Sequence, residues 1–129
     1  MTDRKSASLA RQSAMKTTQD ILRIVRRLVA QQKEITPGKI TRLKVKCGKK
    51  GCRCAQGERH DAVFLYVSKG GPLRRIWLPK DEIPSVTEKS ERYRRFRADR
   101  VALGKSLKTL LAQINRLEDA LSVPYEKTS

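Results

Sequence analysis

The last third of the chain contains Tyr93, Phe96, Arg100, Leu103, Leu107, Leu110, Ile114, Leu117 and Leu121, spaced alternately three and four residues apart. Only Arg100 interrupts this apolar heptad seam, which runs for four heptads. Pro84 suits the first helical position, Glu88 falls in the early turns, and Pro124 stands just past the end. The pattern predicts a helix from about Pro84 to Leu121, about 55 Å long at about 1.5 Å per residue. A rod of that length outruns any small core, so it requires a helical partner along its side.

The first third supplies a candidate. Ala14, Thr18, Ile21, Val25, Leu28 and Ile35, with Leu22 and Val29 beside them, form a broad apolar stripe at helical spacing. The helix is expected from about Ala7 to Glu34, ended by Pro37 and Gly38. The two helices can form an antiparallel hairpin within one chain or an intermolecular coiled coil.

Between them the period changes to two. In Thr41–Cys47, Leu43, Val45 and Cys47 alternate with Arg42, Lys44 and Lys46, which predicts a half-buried strand with a cationic outer face. Ala62–Ser68 and Leu73–Leu78 are β-rich, and Lys69-Gly70-Gly71-Pro72 between them reads as a hairpin turn. The expected fold class is α+β, with two long helices flanking a small three-stranded β head. In segments, 1–37 is an N-terminal amphipathic helix, 38–80 a basic head, 81–123 the heptad helix and 124–129 a tail.

Charge narrows the function. Thirty Lys and Arg against thirteen Asp and Glu give +17 in 129 residues. Residues 35–60 alone carry a net +7. Such a charge repels itself in a compact state and attracts polyanions, so nucleic acid is the first partner to consider. Arg42, Lys44, Lys46, Lys49, Lys50, Arg53 and Arg59 cluster on the first strand and the loop after it. Lys69, Arg74 and Arg75 lie on the hairpin, and Arg94, Arg95 and Arg97 extend the basic track onto the long helix. An ordinary solvated basic surface is the plainer account of the same charges. Trp77 is expected to pack on a helix, stacking on a base being its other use. Tyr93 and Phe96 belong to the helical seam.

Cys47, Cys52, Cys54 and His60 form a C-x4-C-x-C-x5-H arrangement. Structural zinc takes thiolate and imidazole ligands tetrahedrally, and three cysteines with one histidine close its shell. Gly48, Gly51 and Gly57 give a metal-wrapping loop its conformational freedom, while Lys49, Lys50, Arg53 and Arg59 favour thiolates. A zinc staple would also explain how so small a head folds. Inert or disulfide-prone thiols are the first alternative, a redox or catalytic role the second. The odd, clustered cysteine count and the lack of an apolar leader fit a reducing cytoplasm. A basic transit peptide is the weaker account of the first forty residues, which carry Asp3, Asp20 and Glu34. No apolar stretch approaches the roughly 18 residues of a membrane span.

The block from Cys47 to His60, reading C-G-K-K-G-C-R-C-A-Q-G-E-R-H, resembles a motif in a family of small, uncharacterised bacterial proteins. The resemblance continues through the strand Val63–Val67, the run Arg74-Arg75-Ile76-Trp77-Leu78-Pro79-Lys80 and the helical Tyr93-Arg94-Arg95-Phe96-Arg97. It spans about Lys44 to Arg97. After His60 that family has Gly-Pro-Tyr, where this chain has Asp61-Ala62-Val63. The resemblance implies an association with mobile elements and transposase-like genes.

These features combine into one expectation. The chain is a non-enzymatic, zinc-stapled nucleic-acid-binding protein, cytoplasmic and nucleoid-associated, acting on DNA as an accessory factor or regulator of a bacterial mobile element. Its helices serve self-association or dock a recombinase or transposase. A helical adaptor for an acidic protein and an RNA- or ribosome-associated protein are the rival readings. One histidine and no Ser/His/Asp arrangement leave little for catalysis.

Overall fold

The protein is described by a computed structural model covering residues 4–45 and 60–126. The element order is α1 (Arg4–Val29), β1 (Lys39–Val45), β2 (His60–Val67), β3 (Arg74–Trp77) and α2 (Ile83–Leu121). The fold is α+β: two long helices flank a three-stranded antiparallel sheet in the order β1-β2-β3. No helix among the described residues is long and apolar enough to cross a membrane. The chain divides into two compact units, residues 33–96 and a helical unit made from residues 1–32 and 97–129.

In the helical unit the two segments run antiparallel. Arg27 donates from Nη2 to Asp99 Oδ1 at 2.9 Å and from Nε to Oδ2 at 3.3 Å. Ser6, Ala10 and Ser13 share a groove with Gln113, Arg116 and Ala120. The seam of α1 is Ala7, Ala10, Ala14 and Ile24, all buried, with Thr17, Ile21 and Leu28 half-buried between and beyond them. Alanines at its N-terminal end let the neighbouring helix approach closely. On α2, Leu103, Ser106, Leu110, Gln113, Leu117 and Ala120 are half-buried at the matching three-four spacing.

This seam differs from the expected one. Leu107, Ile114 and Leu121 are 43–48% exposed, and Arg100 is exposed as well. Small and polar residues take the places on α2 that these were expected to hold. A narrow, alanine-lined contact covers a narrower strip of α2 than its apolar sequence provides. Likewise α1 stops at Val29, short of Glu34, and its Leu22 and Val29 are exposed.

The sheet unit has a different core. In an antiparallel ladder, directly paired residues project to the same face. Ile40 pairs with Leu65 and Arg42 with Val63, while Leu65 also pairs with Ile76. Leu78 N donates to Val63 O at 2.9 Å, which extends β3's pairing by one residue. Val63, Leu65, Val67 and Leu78 form the buried cluster on this face, joined by Ile40 and by Ile83 and Val86 from the start of α2.

The expected half-buried strand forms, with Leu43 and Val45 half-buried and Arg42 and Lys44 exposed. Arg42 and Lys44 alternate with Leu43 and Val45 as the sequence requires, but they stand on the sheet face that carries the core. They stay exposed at its far end, where Lys44 pairs across the ladder with Asp61. Leu43 and Val45 occupy the opposite face.

Two polar contacts tie α2 to the chain entering β1. Ser90, fully buried, donates from Oγ to Gly38 O at 2.7 Å. Arg92 Nη1 donates to Glu34 O at 2.7 Å. Gly38 has φ +134°, and a Cβ there would lie 2.7 Å from Leu65 Cδ1 and 2.9 Å from Tyr66 O. Ser90→Ala should therefore destabilise by about 1–3 kcal/mol, the cost of taking this donor from the half-buried Gly38 carbonyl. Gly38→Ala should cost at least as much, since it adds backbone strain of about 1–3 kcal/mol to the steric clash. Urea denaturation of the two variants checks both.

The Arg27 hydrogen bonds hold the Asp99 carboxyl below its usual range. A carboxyl pKa lowered by folding stabilises the fold fully above the unfolded value, about 4, and progressively less as pH falls through the folded value. Thermal melts should show helical stability falling in acid, with a smaller fall in Asp99→Asn.

Candidate nucleic-acid interface

The second face of the sheet follows from the same register. Tyr66 pairs with Lys39 on one side and Arg75 on the other, and Phe64 with Thr41 and Trp77. Leu43 with Ala62 and Val45 with His60 complete this face. It therefore carries three aromatic rings beside Lys39 and Arg75. Phe64 is buried, with the Arg75 guanidinium over its ring at 4.6 Å from the centroid. Tyr66 is half-buried, and Trp77 is 59% exposed.

That exposure reverses the expectation that Trp77 packs on a helix. Ile76 and Leu78, its neighbours in sequence, point to the core face, so strict alternation turns the indole to the other side. Arg75 lies on Trp77's face, two places from it, and its charge sits against aromatic carbon in a cation–π contact. A large ring left in water on the face that carries Arg75 is suited to stack on a planar anion-bearing ligand.

At one end of β1 and β2 the surface dips into a cleft of about 260 Å³, bordered by Pro37, Lys39, Tyr66, Lys69, Tyr93 and Arg94. Lys69 Nζ lies 5.8 Å from the centroid of the Tyr93 ring. The cleft combines two tyrosines with three cations.

The basic residues singled out by sequence are thus distributed unevenly. Arg75 is on the aromatic face, and Lys69 and Arg94 border the cleft. Arg74 pairs with Val67, so it shares the core face with Arg42 and Lys44 and is exposed with them. Arg95 and Arg97 are exposed on α2, and Arg97 belongs to the helical unit. Lys46, Lys49, Lys50, Arg53 and Arg59 lie outside the described residues. Lys39 and Tyr66 were not singled out by sequence reasoning. The signal was the strand parity of β1 and β2, which becomes readable only once the register is fixed.

Cys47, Cys52 and Cys54 also lie outside the described residues, and among the described residues no three metal-ligating side chains gather. His60 is described: it opens β2 and pairs with Val45, the last residue of β1. The ladder thus brings together the two ends of the segment 46–59 that holds the cysteines. The fourth candidate ligand stands at that junction, and three thiols with an imidazole suit zinc.

The sheet unit is a small α+β unit whose antiparallel sheet is helix-backed on one face and carries aromatic and cationic side chains on the other. The chain belongs to the family described as a domain of unknown function, DUF6788, whose match spans residues 18–88. That span contains the sheet and the cysteine block, and ends before Tyr93–Arg97. No curated protein and no solved structure matches the chain.

Proposed function

We propose that this chain is a non-enzymatic nucleic-acid-binding protein that holds unpaired DNA on the aromatic face of its sheet. The observation that carries this reading is the exposure of Trp77 on the face that also holds Arg75, Lys39 and Tyr66. Bases in a single strand offer π-faces to such a platform, while the cations meet the phosphates. In a duplex those faces are stacked away, so the platform favours unpaired over paired strands. The wider charge of +17 supplies long-range attraction.

The second part of the proposal is a structural zinc held by Cys47, Cys52, Cys54 and His60. The metal would staple the β1–β2 connection, adding stability that so small a buried core does not supply by itself. On the resemblance noted above, the proposed setting is a bacterial mobile element, with the protein acting as an accessory factor.

Trp77 is the chain's one tryptophan, so its fluorescence reports directly on this face. Single-stranded DNA should quench it, with duplex DNA and structured RNA binding more weakly. Trp77→Ala should weaken single-strand binding by about 1–3 kcal/mol, roughly 5- to 150-fold, with little change in salt dependence. Arg75→Gln should lower the slope of log affinity against log salt by about 1. Unquenched fluorescence and no anisotropy change at low salt would remove the reading.

Native mass spectrometry should find one zinc per chain, absent from Cys54→Ser, and a chelator should lower the melting temperature. A metal-free chain with an unchanged melt would exclude the staple.

A further inference from the structure

The residues displaced from the expected seam form a pattern of their own. On α1, Met15, Leu22 and Val29 follow one another at seven-residue spacing, with exposures of 61%, 46% and 76%. Half-buried Thr18 and Val25 lie between that row and the seam. On α2, Leu107, Ile114 and Leu121 repeat at seven, and Leu111 is 62% exposed beside them.

Both rows are rotated in the same sense from their helix's seam, by about 40–100° at about 100° per residue. For antiparallel helices that places them on one common side of the pair. The Arg27–Asp99 contact sets the register, so Met15 stands level with Leu111 and Leu22 with Gly104. The central levels of this side, Met15–Val25 on α1 and Gly104–Ile114 on α2, carry no charge. The other side of the pair is mixed, with Leu9 among Ser6, Ser13, Arg116 and Asp119 along its groove.

We propose that this apolar side is a homodimer interface, on which a second copy of the chain seats the same side to close a four-helix bundle. Two helices make a single layer, and an apolar layer is stable in water only when another covers it. The side is about 30 Å long and about 20 Å wide from helix dimensions, about 600 Å² in projection, with an uncharged middle of about 15 Å and with Arg11, Arg26, Arg100 and Glu118 toward its ends. A stable interface takes roughly 800 Å² per partner, so these charged residues form its rim.

A second copy fits better than a charged partner, because the middle of the face offers no charge to complement. It also fits better than a short peptide, because the heptad rows require a partner with the same repeat over the same length. Lys16, Arg23 and Lys105 lie on the parts of the helices turned away from this side, so two positively charged units can approach through it. The proposal rests on the helical unit alone and is independent of nucleic-acid binding.

Sedimentation velocity of the full chain without nucleic acid should give twice the 14.7 kDa chain mass in the micromolar range. Leu111→Glu should raise the dimer dissociation constant by at least about 30-fold, the loss typical of an interface hot spot. Its circular-dichroism helix signal should stay unchanged. Met15→Glu, at the same level on the other helix, should act alike and serves if the first variant does not fold. Lys16→Glu should leave the dimer intact. A wild-type chain sedimenting at 14.7 kDa throughout that range, or a doubled mass surviving in both folded interface variants, would overturn the proposal.

Discussion

The central strand β2 is apolar on both of its faces, and the sheet unit is arranged around that fact. Val63, Leu65 and Val67 project to one side; Ala62, Phe64 and Tyr66 project to the other. A three-stranded sheet with one short edge strand cannot cover two apolar faces by itself. The first turns of α2 cover one, through Ile83 and Val86, and Ser90 closes that contact on the backbone of Gly38. On the second face Ala62 and Phe64 are buried as well. Arg75 lies over Phe64, and Trp77 remains largely in water. The candidate interface is therefore the consequence of having one helix for two faces.

The same constraint explains why polar and charged groups border the aromatic face. An open apolar sheet face invites pairing and aggregation, and charged side chains at its edges counter both. Lys39 on β1 and Arg75 on β3 flank Tyr66, so this face is amphipathic rather than greasy. The proposed binding of an unpaired strand rests on that combination of ring faces and cations.

Much of the architecture was legible in the sequence because periodicity is local. The heptads of α2 and the alternation of Thr41–Val45 predict a helix and a strand without knowledge of their neighbours. Pro84 and Leu121 lie within one residue of the helix ends that form. What periodicity omits is which of two apolar rows a partner covers. Phe96, Leu103, Leu110 and Leu117 are half-buried, while the neighbouring row of Leu107, Ile114 and Leu121 is exposed. That choice is made by Ala7, Ala10 and Ala14 on the opposing helix, whose small side chains set a narrow contact.

The site was less legible for a related reason. Alternation assigns Arg42 and Leu43 to opposite faces but does not say which face a distant helix will cover. Leu43 is half-buried and Arg42 exposed, as alternation requires, but the face a helix covers is chosen by β2, where Val63 and Leu65 meet Ile83 and Val86 of α2, and Arg42 shares that face through its register. Parity then carries Trp77 to the open face along with Phe64. Trp77 stands between Ile76, 40% exposed, and the buried Leu78, and alternation in a strand sets the indole opposite both. In a three-stranded sheet backed by a single helix, the residues between the core positions of β2 and β3 are the ones to consider first as a binding surface.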